Sequence, residues 1–76
     1  MPFIRVRPDG LQTWTNAHGI RTHMQLAEAS GLSLATVQRI CSGRPVDGKT
    51  MARLLLLLGC PWEAIFRVVE DGERAA

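Results

Sequence analysis

The chain has 76 residues, 46% apolar and 21% charged, which suits one small globular domain and leaves no room for a second core or a deep substrate cavity. Its only aromatics are Phe3, Trp14, Trp62 and Phe66, too few for a single-strand binder built on stacking platforms, and Cys41 and Cys60 lack disulfide-scaffold or zinc spacing, which favours a reducing, cytoplasmic compartment. The net charge of +2 is unevenly spread: residues 1–53 carry seven Lys/Arg against three acids and residues 54–76 two against four, so the basic part suits a polyanion and the acidic part is kept away from it.

Residues 1–8 alternate, with Ile4 and Val6 on one side and Phe3, Arg5 and Arg7 on the other, between Pro2 and Pro8. Period two bounded by prolines predicts an extended arm or a short edge strand. Asp9 is placed to cap a first helix over 9–18, where Leu11, Trp14, Thr15 and His18 share one face and Gly19 stops the helix. Thr22 followed by Gln25 is a capping-box pair, so a second helix runs over 23–30 and ends at Gly31. Ser33 caps a third helix over 34–42, with Val37 and Ile40 inward and Gly43 and Pro45 ending it.

Asp47 caps a fourth helix over 48–58, whose Leu54–Leu58 run is apolar all round and predicts burial on most sides. That run is the longest apolar stretch, far short of the ~20 residues that span a membrane. Pro61 suits the first turn of a fifth helix, along which Trp62, Ile65, Phe66 and Val69 form one stripe ending near Glu70. The expected organisation is therefore an extended arm (1–8), a helical domain (9–70) and a frayed tail (71–76).

The stretch His23–Ser42 carries the functional signal. Two short helices meet at the corner Gly31-Leu32-Ser33, with the small Ala27 where the helices cross and Leu26, Leu32, Val37 and Ile40 to lock them. The rest of the third helix is short or hydrogen-bonding and has no acid, so its face can approach phosphates and base edges without repulsion. This is a helix-turn-helix pattern. Together with Gly43, the loop Arg44–Lys49 and the Leu-rich helix ending Leu58-Gly59-Cys60, it resembles the Cro and phage-repressor (lambda-repressor-like, XRE) family over about residues 10–69. Many members place Gln where this chain has His23.

The resemblance implies an all-α, five-helix lambda-repressor-like domain with a short extended N-terminal arm, and sequence-specific binding of double-stranded DNA by a transcriptional regulator, a repressor by family habit. It places the helix 34–42 in the major groove, with Leu34, Ala35, Gln38 and Arg39 facing bases and Thr22, His23, Ser33, Thr36, Arg44 and Lys49 holding phosphates. Gln38 suits adenine, Arg39 guanine, and Leu34 and Ala35 a thymine methyl.

Two half-sites read by one helix each favour a homodimer, with Ile65, Val68 and Val69 of the fifth helix at the interface and the Phe3–Arg7 arm as a second candidate. The competing reading is a protein-interaction module on the same fold, antitoxin-like or an adaptor, which would lack salt-dependent DNA binding. An enzyme is disfavoured: the sequence offers no paired carboxylates, activated nucleophile or metal set, and implies no catalytic residue, cofactor, small-molecule substrate or membrane partner.

Overall fold

The computed structural model describes residues 1–70. The tail expected to be frayed, 71–76, lies outside the described residues. In chain order the elements are β1 (Phe3–Val6), α1 (Pro8–Ala17), α2 (His23–Ser30), α3 (Leu34–Cys41), α4 (Gly48–Leu58), α5 (Trp62–Ile65) and β2 (Phe66–Val69).

The first correction to the sequence reading is that the fold is not purely α-helical. The arm β1 pairs antiparallel with β2 of the same chain, in the register Phe3–Val69, Ile4–Val68, Arg5–Arg67 and Val6–Phe66. The fifth helix is a single turn, because Phe66 leaves the helix in an extended conformation (φ −129°, ψ 158°). The residues after it are rich in β-branched valine, and a β-prone partner strand is available to them. The ladder continues where the Arg7 amide donates to the Ile65 carbonyl at 2.7 Å, and Arg7 Nε donates to the Phe66 carbonyl at 3.0 Å. The arm therefore closes on its own domain, and Arg7, though exposed, bonds to the backbone of that domain.

The local helix signals are realised at α2, α3 and α4. Thr22 Oγ1 accepts from the Gln25 amide at 3.1 Å while Gln25 Oε1 accepts from the Thr22 amide at 3.2 Å, the full capping box. Ser33 and Asp47 cap α3 and α4 by accepting from the amides of Thr36 and Thr50. Gly31 and Gly59 take the left-handed C-cap conformation (φ 77° and 65°) that side-chain-bearing residues avoid. In α1 the cap differs from expectation: Arg7 is the N-cap without a side-chain bond, Pro8 fills the first turn, and Asp9 lies inside that turn, where its charge favours the helix dipole.

The core is built from Val6, Leu26, Val37, Leu54, Ile65 and Phe66, all nearly or fully buried. Leu54 and Leu58 alone of the leucine run are buried; Leu55 and Leu57 are half-buried and Leu56 is 87% exposed. An 11-residue helix with one face on the core cannot bury all sides of a five-residue run, so α4 is amphipathic rather than buried all round. Trp62 packs its ring 5.8 Å from Phe66 and donates Nε1–H to the Met51 sulfur at 3.4 Å, which ties α5 to α4. No helix among the described residues is long and apolar enough to cross a membrane.

Candidate nucleic-acid interface

The α2–α3 corner is assembled as its residue types require. Leu26 and Ala27 of α2 and Val37 and Ile40 of α3 are buried, and the Gly31 amide donates to the Ala27 carbonyl as the chain turns. Ser30 is buried at the end of α2, its hydroxyl donating to the Leu26 carbonyl at 2.6 Å. Ala27 is only 8% exposed on a helix packed against α3. Ala27→Leu is therefore expected to cost about 1–3 kcal/mol by overpacking, enough to lower the melting midpoint by several degrees in a domain this small. A midpoint equal to the parent's in a calorimetric scan would contradict the close crossing.

With Val37 and Ile40 turned inward, Leu34, Ala35, Gln38 and Arg39 are exposed on the outer face of α3, as are Ser33 and Ser42 at its ends. No carboxylate lies on this helix. Its N-terminal half is ordered by side chains: Ser33 Oγ donates to Thr36 Oγ1 at 2.8 Å, and Arg39 Nη2 donates to the same oxygen at 3.3 Å. Thr36 Oγ1 thus sits between the Ser33 hydroxyl and the Arg39 guanidinium. Arg39 is drawn back along the helix toward its N-terminal end.

The expected phosphate-holding residues fall into two groups. Ser33, Thr36, Arg44 and Lys49 line one cleft with Arg39, bounded by α3, the 43–47 loop and the start of α4. Thr22 and His23 lie exposed at the start of α2, on the rim of a separate cleft against α1. The 43–47 loop is held in place from β1: the Val46 amide donates to the Ile4 carbonyl at 2.8 Å, and the Arg5 guanidinium lies over Gly43, where a Cβ would meet it at 3.0 Å. Among the described residues Asp47 is the one carboxylate in the first cleft; bonds that its carboxyl accepts from the Thr50 side chain and backbone amide hold it below the ordinary value. Arg53 also lines this cleft, and the sequence reading missed it. Its spacing of i+4 from Lys49 on α4 was the available signal.

Of the three residues expected at a dimer interface, Ile65 and Val69 are buried in the domain's own core, because the sheet and the short α5 turn consume them. Val68 is 49% exposed. The Phe3–Arg7 arm, the second dimer candidate, is already paired with β2. Cys41 is half-buried and burial pushes its thiol up, away from thiolate reactivity. His18 caps α1, its Nδ1 bonded to the Trp14 carbonyl at 2.9 Å.

A family model described as helix-turn-helix matches residues 22–65, more than half of the chain. No curated protein and no solved structure matches it.

Proposed function

The chain belongs to the helix-turn-helix family of the Cro and phage-repressor (XRE) type, a DNA-binding family, and from that premise we propose that it is a sequence-specific transcriptional regulator that inserts α3 into the major groove and represses by occupying its operator. The observation that carries this reading is the exposed, carboxylate-free face of Leu34, Ala35, Gln38 and Arg39, backed by the buried pair Val37 and Ile40. A helix so mounted can enter a groove about as wide as itself without repelling phosphates. Gln38 reads adenine, Arg39 reaches a guanine or a phosphate, and Leu34 and Ala35 meet thymine methyls. Thr22, His23, Ser33, Thr36, Arg44 and Lys49 fix the register on the backbone.

One α3 reads only a few base pairs, so the regulator acts as a homodimer on two half-sites about one helical turn apart. Among Ile65, Val68 and Val69, only Val68 has surface to offer such an interface.

Selection of bound duplexes from a random pool tests specificity and half-site symmetry together; recovery of no preferred sequence would refute the reading. On the selected site, Gln38→Ala is expected to relax preference at one position by about 1–3 kcal/mol. Arg44→Ala is expected to weaken all duplexes alike and flatten the salt slope by about one unit. An unchanged preferred sequence with Gln38→Ala would remove Gln38 from base readout.

A further inference from the structure

Arg53 ties two parts of the interface together. The side chain leaves α4 one turn after Lys49 and reaches back to the helix-turn-helix corner, where Nη1 donates to the Ser30 carbonyl at 3.4 Å. It lies over Gly31 so closely that a Cβ there would meet Nη1 at 2.7 Å. Ser30 belongs to the last turn of α2, whose carbonyls lack intrahelical partners and carry the negative end of the helix dipole. A guanidinium suits that position. One bond uses one of its five N–H donors, and the residue is exposed along the cleft it shares with Arg39, Arg44 and Lys49.

Among the described residues four cations thus line this cleft against one carboxylate, Asp47, whose Oδ1 already accepts from the Thr50 amide at 2.8 Å. The excess charge, with the Thr36 hydroxyl beside it, matches anionic oxygen groups. Resting on the DNA-binding reading, we propose that the cleft runs along backbone phosphates of duplex DNA and that Arg53 is the inner donor to one of them. Its guanidinium holds the phosphate and the α2–α3 corner at once. The planar fork makes this possible, since separate N–H groups point to the carbonyl and to the cleft; a lysine ammonium supplies the charge without that geometry. Phosphate binding in the cleft and the orientation of the recognition helix are then linked through one side chain.

The test compares the parent protein with Arg53→Gln and Arg53→Lys on the selected site and on a random duplex, between about 50 and 200 mM salt, where counterion release dominates the change in affinity. Arg53→Gln is expected to reduce the steepness of log K against log salt by about 0.9 on both duplexes, the slope that a single neutralised phosphate contributes, while Arg53→Lys keeps the parent slope. Circular dichroism at the assay temperature confirms that each variant is folded.

A folded Arg53→Gln variant with the parent slope overturns the proposal, whether or not its affinity falls, because a purely structural brace releases no counterion. A parent protein that binds no duplex with a salt slope overturns the DNA-binding reading itself. Should Arg53→Gln fail to fold, titration of the ¹⁵N-labelled parent with inorganic phosphate decides the matter. Shifts at the Arg53 side-chain Nε–H and at the amides of Thr36, Arg44 and Lys49 are the expected result; shifts confined to Thr22 and His23 overturn it.

Discussion

Replacing Phe66 by Ala is expected to remove a large share of the domain's stability and to lower its denaturation midpoint more than any other substitution proposed for this chain. Phe66 is fully buried, is among the largest such side chains, and stands where β2, α5 and the helical core meet. Phe→Ala truncations in cores cost about 3–5 kcal/mol, against a total of about 0.05–0.15 kcal/mol per residue for small domains. For a chain of 76 residues that range gives about 4–11 kcal/mol, so the loss is a large share of the stability available. Val68→Ala is the control. Val68 projects from the same face of β2 two residues on, but it is half-exposed, and its truncation is expected to cost under about 1 kcal/mol. Urea denaturation followed by far-ultraviolet circular dichroism measures both. Equal costs for the two variants would mean that β2 does not pair with β1 in the register that sets Phe66 opposite Val6.

Gly10→Ala reverses the sign that helix propensity assigns. In an exposed helix interior the change stabilises by about 1 kcal/mol, because Ala forms helix better than Gly. In α1, however, a Cβ on Gly10 would overlap the Ala64 carbonyl oxygen of α5, a backbone atom that no rotamer change can move. The helices must part, and overpacking of this kind costs about 1–3 kcal/mol. The strain falls beside the Arg7–Ile65 ladder bond that starts the sheet. Gly48→Ala provides the contrast, since a Cβ at that first-turn position of α4 meets nothing within 4 Å. It is expected to be neutral or to stabilise by up to about 1 kcal/mol. A Gly10→Ala variant with a higher denaturation midpoint than the parent would refute the close approach of α1 to α5.

Both substitutions act at a distance from the proposed DNA-facing surface, yet both reach it. The sheet anchors the 43–47 loop through the Ile4–Val46 bond and the Arg5 side chain over Gly43. Loosening β1 therefore frees the segment that carries Arg44. Partly folded Gly10→Ala protein is expected to lose the proposed phosphate contact of Arg44 before the α2–α3 corner opens, because most bonds of that corner are local.

By itself the sequence determined the helix-turn-helix unit and the limits of α2, α3 and α4. Thr22 with Gln25, Ser33 with Thr36 and Asp47 with Thr50 cap their helices across three residues, and Gly31 and Gly59 end theirs with a single left-handed residue. The inward pair Val37 and Ile40, and with it the outward face of α3, follows from helical period alone. Only the tertiary structure decided residues 62–69. Ile65, Phe66 and Val69 are buried, as a helical stripe would have them, but in β2 Phe66 and Val69 lie on opposite faces, at the two buried ends of the strand. That burial has the same spacing in either conformation, so hydrophobic pattern cannot separate them.

The deciding partner, Phe3–Val6, is at the other end of the chain. The i+4 spacing of Arg53 from Lys49 was visible, but its place at the corner was illegible for the same reason: its bond to Ser30 spans 23 positions. Caps and turns close over three or four residues and are written locally. A strand pairing, or a guanidinium laid across a corner, exists only once the chain has brought distant residues together.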